Sequence, residues 1–128
     1  MNGLHLTADL GGVDAALPLM RDAEALAAVC REAVVASGLS GVAELFHRFG
    51  AADEESGITG VVLLAESHLA VHTWPELGGV TLDVYVCNYG ADNSDSAQAL
   101  MAALIAAFSP LTVNRQSLIR AAASTPAV

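Results

Sequence analysis

Two apolar runs, Ile58–Ala65 and Val80–Cys87, flank one short segment crowded with reactive side chains. That segment reads Ala65-Glu66-Ser67-His68-Leu69-Ala70-Val71-His72-Thr73-Trp74-Pro75-Glu76. Apolar runs of this length, bounded by Gly and Pro, have the length of strands and not of helices. The centre of the chain must therefore be built from neighbouring β-strands. Strand side chains alternate, so His68, Ala70, His72 and Trp74 share one face. Thr59, Val61, Leu63 and Ala65 share a face of the strand before. Thr81, Asp83, Tyr85 and Cys87 lie opposite a core face of Val80, Leu82, Val84 and Val86. Ile58–Ala65 is apolar enough that neither of its faces is expected to be wet.

The remaining elements follow in order. Leu4–Leu10 alternates and predicts a first strand, ended by Gly11-Gly12. Met20–Ser37 predicts a helix whose inner face carries Leu19, Ala23, Leu26, Val29, Cys30, Ala33 and Val34, with Gly38 as its C-cap. Cys30 is a core residue on this pattern. Val42–Phe49 predicts the second strand, Gly50–Gly57 a loop, Ile58–Ala65 the third strand and Ser67–Trp74 the fourth. Pro75 is confined to the end of that strand or an edge. Leu77-Gly78-Gly79 is a turn and Val80–Cys87 the fifth strand. Ser94 is a candidate N-cap for a second helix through Phe108, which Pro110 stops. Leu111–Ile119 predicts a last strand, and the tail after it is expected to be loose. The order β-α-β-β-β-β-α-β gives an α+β domain spanning 1–128, with a mainly antiparallel sheet and two helices on one face. The other face then lacks cover, and a homodimer packed sheet to sheet is the economical expectation.

Composition removes several kinds of chemistry. There is no lysine among the 128 residues, so a pyridoxal-phosphate Schiff base and a P-loop are both closed routes. The net charge of -9 argues against nucleic acid or an anionic membrane as partner and suits a cationic small molecule. The two cysteines form no CxxC pair. Met1–Asp14 lacks the pattern of a signal peptide, and no apolar stretch approaches the ~18 residues of a membrane span. A cytoplasmic protein with reduced thiols is expected. His68 and His72 are unsuited to chelating one metal from one strand, because four residues of strand separate them by ~13 Å; no metal is expected. A Ser-His-Asp hydrolase is possible on residue types alone, but no GxSxG elbow surrounds Ser67.

The run from Thr59 to Glu76, with its Glu-Ser-His-x-x-x-His-Thr-Trp-Pro-Glu core, followed by Asp83-x-x-x-Cys87, resembles the prokaryotic S-adenosylmethionine decarboxylase family. Shorter echoes are His5-Leu6-Thr7-Ala8-Asp9 and Phe46-His47-Arg48-Phe49. The resemblance implies a two-layer α/β sandwich that dimerises, with its sites at the interface. It implies a self-processing proenzyme: Ser67 attacks the carbonyl of Glu66, His72 assists as acid and base, and Thr59 helps. The products are a 1–66 chain and a 67–128 chain whose residue 67 becomes a pyruvoyl group, the cofactor. That group forms a Schiff base with a substrate amine and withdraws electrons as carbon dioxide leaves. Cys87 is the implied proton donor, and Phe49, Trp74, Glu76 and His68 the implied substrate contacts. The expected reaction is S-adenosylmethionine decarboxylation, which supplies aminopropyl groups for spermidine synthesis. Two alternatives stand beside it. One is an arginine or ornithine decarboxylase on the same scaffold, using Asp53, Glu54 or Glu55 to receive the cationic side chain. The other is an unprocessed, non-catalytic paralogue.

Overall fold

A computed structural model describes residues 2–51 and 55–121. Six strands form one antiparallel sheet: β1 (Asn2–Gly11), β2 (Gly41–Arg48), β3 (Ile58–Leu64), β4 (Ser67–Trp74), β5 (Gly79–Cys87) and β6 (Thr112–Ala121). Across the sheet they run β2-β3-β4-β5-β1-β6. Two long helices, α2 (Ala23–Ser37) and α3 (Ser94–Phe108), pack against each other and against one face, preceded by a single turn, α1 (Pro18–Arg21). The α+β class, the antiparallel pairing and the one-sided helix layer all agree with the sequence pattern. The tail beyond residue 121, expected to be loose, lies outside the described residues.

Period-2 alternation builds the core. Leu69 and Val71 on β4, Leu82 and Val84 on β5, and Leu100 and Phe108 on α3 are all buried. Cys30 is fully buried there too, and burial pushes its thiol up to about 12, with Glu44 adding and Arg31 opposing. It packs as a small apolar side chain and stays protonated. Two helix boundaries differ from the sequence expectation. The continuous helix from Met20 is broken at Asp22, whose carboxylate accepts from the N–H groups of Glu24 and Ala25 and so starts α2 afresh. At the second helix the N-cap is Asn93 and not Ser94; the Ser94 N–H is taken instead by Asp92. β3 also has a wet face after all. Ile58, Val62 and Leu64 turn inward, while Leu63 is about half exposed because no layer covers that side of the sheet. No helix among the described residues is long and apolar enough to cross a membrane.

Thr73 is the one buried polar side chain among the described residues. Its Oγ1 accepts from the Ile58 N–H (3.0 Å) and donates to the Met20 carbonyl (2.9 Å), tying β3, β4 and α1 together below Trp74. Thr73→Val keeps the shape but strands two buried backbone groups. It should lower unfolding free energy by about 2–4 kcal/mol in chemical denaturation, from the ~1–3 kcal/mol cost of each orphaned group.

Candidate active site

Strand register sets the whole arrangement. β4 lies between β3 and β5, with Thr59 opposite His72, Leu63 opposite His68, and His68 opposite Tyr85. The helix-free face therefore carries Thr59, His68, His72, Trp74, Asp83, Tyr85 and Cys87 together, as alternation predicted. They do not form one cluster. Ser67 and His72 sit at opposite ends of β4, ~16 Å apart at ~3.3 Å per residue. Two groups of residues result, one at each end of the strand.

The first group surrounds the Glu66–Ser67 peptide bond, in the tight turn from β3 to β4. The Glu66 carbonyl oxygen accepts from the Cys87 N–H at 2.8 Å. The Glu66 side chain accepts from the Ser40 N–H at 3.0 Å, and Ala65 N–H donates to the Ser40 carbonyl at 2.8 Å. Ser67 follows with φ 153°, a value non-glycine residues rarely adopt. The bond is thus gripped on its acyl side and strained on its amine side. Cys87 is held by its own surroundings: the Asn93 amide donates to its carbonyl (2.8 Å) and the Tyr89 N–H donates to its Sγ (3.4 Å).

The second group lies at the far end of β4. Thr59 Oγ1 and His72 Nδ1 are hydrogen-bonded at 3.1 Å, and the His72 and Trp74 rings lie 6.0 Å apart. Both residues open onto a cavity of about 300 Å³ whose walls include Phe49, Glu55, Trp74 and Glu76. Two aromatic faces and two carboxylates make a pocket suited to an organic cation with a flat ring system. Its floor depends on Gly57, because a Cβ there would lie 1.8 Å from the Thr73 carbonyl oxygen. The loop between is closed by the Phe49 N–H donating to the Gly57 carbonyl. Asp53 and Glu54, read as possible receivers of a cationic side chain, lie outside the described residues; Glu55 is in the pocket wall. A groove of about 360 Å³ between α2 and β2 holds Arg31 already paired with Glu24 and Glu44, and no nucleophile.

Sequence reasoning missed three supports. Ser40 and the backbone N–H of Cys87 hold the turn at Glu66, and Thr73 underpins the pocket. A main-chain donor carries no side-chain signature, and Ser40 is 26 residues from its partner. Thr73 was visible only as the polar residue at an inward position. His68, between the two groups, has its pKa lowered, first by burial and then by His5, with Asp83 opposing. The folded chain therefore favours neutral His68, and the stability it contributes is present above the ordinary histidine range and lost as pH falls through it. Thermal unfolding should show a smaller drop for His68→Asn than for the parent chain between about pH 7 and about pH 5.

Comparison with known proteins gives one consistent answer. A family model described as S-adenosylmethionine decarboxylase matches residues 4–121. An S-adenosylmethionine decarboxylase proenzyme of Picrophilus torridus is 41% identical over 95 residues, covering 74% of this chain and 68% of the relative. One from Aquifex aeolicus is 37% identical over 114 residues, covering 89% and 77%. The crystal structure of the adenosylmethionine decarboxylase from Aquifex aeolicus superposes with a TM-score of 0.82 at 34% identity, over 98% of this chain and 96% of that one.

Proposed function

The chain belongs to the S-adenosylmethionine decarboxylase family and is a decarboxylase acting on S-adenosylmethionine, and we propose that it cuts itself between Glu66 and Ser67, carries a pyruvoyl group at residue 67, and works as a homodimer. Nothing favours the arginine or ornithine alternative.

The observation that carries this reading is the Glu66–Ser67 bond itself. Ser67 Oγ adds to the Glu66 carbonyl carbon, and charge develops on the oxygen that already faces the Cys87 N–H at 2.8 Å. A donor aimed at the point where charge accumulates is the usual means of stabilising such an addition. The acyl group moves from nitrogen to oxygen. Removal of the Ser67 α-proton then expels the Glu66 carboxylate, and hydrolysis with loss of ammonia leaves the ketone. His72, hydrogen-bonded to Thr59, is the base we assign to the proton removal. Thr59 supplies the hydroxyl that orients the imidazole, and its methyl group does not prevent the bond.

The residues present fit the pyruvoyl group. A chain without lysine has no side-chain amine to compete for a ketone. When formed, the group supplies the electron-withdrawing carbonyl that lets carbon dioxide leave the substrate. Phe49 and Trp74 would hold the adenine between them, Glu76 the ribose hydroxyls, and His68 the part of the substrate beside residue 67. Cys87 would return a proton to the substrate carbon. Its need for a free thiol suits the cytoplasm, and the product would serve as aminopropyl donor for spermidine synthesis.

The gap of ~16 Å between Ser67 and His72 supports the dimer, because one protomer does not bring the two residues together. A second copy laid on the helix-free face, about a two-fold axis crossing the strands near Ala70, sets Ser67 and Cys87 of one protomer against the partner's His72, Thr59 and pocket. Two complete sites result from one isologous interface. The face is apolar enough to be covered: Leu45, Leu63, Trp74 and Leu118 all stand exposed on it.

Intact-mass measurement should find chains of 66 and 62 residues, the second without a free amino terminus, and a single 128-residue chain in active material would refute the mechanism. Ser67→Ala and His72→Ala should each stay uncleaved alone. Co-expressed, the His72→Ala chain should be cleaved by the partner's His72; cleavage in neither chain would place the reaction within one protomer. Cys87→Ala keeps its backbone N–H, so cleavage should persist while carbon dioxide release falls by ~10²-fold or more.

A further inference from the structure

Beside the scissile bond lies a cluster to which the reaction as described gives no task. His5 on β1 sits with Nε2 3.3 Å from Asp83 Oδ1 on β5, and with Nδ1 3.3 Å from Arg120 Nη1 on β6. A guanidinium only donates, so Nδ1 must be the accepting nitrogen and the ring proton is on Nε2, facing Asp83. That Nε2 is buried and has no well-aligned hydrogen bond among the described residues; only the carboxylate's charge stands by it. The His5 ring lies 5.6 Å from that of Tyr85 and 6.4 Å, edge on, from that of His68. The Tyr85 and His68 rings are 5.7 Å apart, and the Arg120 guanidinium covers Tyr85 at 5.2 Å. Tyr85 leans over Gly3, where a Cβ would meet its ring carbon at 2.9 Å and its hydroxyl at 3.1 Å.

The cluster acquires a purpose from what cleavage removes. Once the Glu66–Ser67 bond is gone, residue 67 has lost both its link to β3 and its N–H. Its place then depends on the next residue, His68, the first in β4 with a full backbone and a side chain. We propose that His5, Asp83, Arg120 and Tyr85 are positioning residues that hold the His68 ring, and through it the reacting group at residue 67, after the chain has been cut. This rests on the pyruvoyl reading above. In the uncut chain residue 67 is tethered on both sides and has no need of the brace. Processing and turnover should therefore respond differently to its loss.

The test measures the cleaved fraction by intact mass, and kcat and KM for S-adenosylmethionine per cleaved chain, in the same samples. Tyr85→Leu and His5→Asn should each cleave to within about twofold of the parent extent. Each should lose about tenfold in kcat, with KM within about twofold, as expected for a group displaced at the reacting centre. Tyr85→Phe, which keeps the ring, should turn over like the parent. Unchanged kcat in the cleaved Tyr85→Leu and His5→Asn chains would overturn the inference alone. So would equal losses of cleavage and turnover, since those mark a merely structural role. A parent chain that releases carbon dioxide while uncut would overturn this inference together with the reading beneath it.

Discussion

β4 pairs with β5 along its whole length and with β3 from Ser67 to His72, and Ser67, His68, His72 and Trp74 take their places from that pairing. A strand in the middle of a sheet cannot slip by one residue without sending all its inward side chains to the open face. Leu69, Val71 and Thr73 fix the register by being buried, and His68, His72 and Trp74 are then obliged to face outward. The same rigidity holds Ser67 and His72 apart. An extended strand cannot fold back to bring its ends together, so the open face presents two separate groups of residues. The proposed dimer through that face rests on this strand geometry and on both residues serving one reaction.

The turn between β3 and β4 concentrates the local strain. Its Ser67 φ lies far from the values its side chain prefers. Its acyl side is locked by Ser40 and Cys87, which come from distant parts of the chain. Strain of this kind persists only where the surroundings overdetermine the backbone. Here the surroundings are two strands in fixed register and the Asn88–Ser94 bend, whose amides clamp Cys87.

Much of this was legible in the sequence. Period-2 alternation on Val80–Cys87 placed every inward and outward residue of β5 correctly, because that strand is covered on one side only. The crowding of Glu66, Ser67, His68 and His72 marked where to look. What stayed hidden was of two kinds. Main-chain donors such as the Cys87 N–H have no residue type to read. Side chains meeting across distant strands, such as His5, Asp83 and Arg120, are brought together by sheet order, and β1 inserted between β5 and β6 is not announced by any local pattern. The apolar count of β3 also misled: its uncovered face has the composition of a core but the exposure of a surface.

That same strand order explains how a chain cut between Glu66 and Ser67 would remain one body. The first chain would supply β1, β2, β3 and α2, and the second β4, β5, β6 and α3. These do not separate into two halves of the sheet. β1 of the first chain lies between β5 and β6 of the second, paired to both, and β3 stays paired to β4. α2 packs on α3 across the same division. Cleavage there would break one peptide bond in a turn and leave the described ladder intact on either side. It would also abolish the strained torsion, since a residue with no preceding peptide has no φ to hold. The strained position at Ser67 is thus the one the proposed cleavage would remove, and the interleaved strands would keep the new chain end in place.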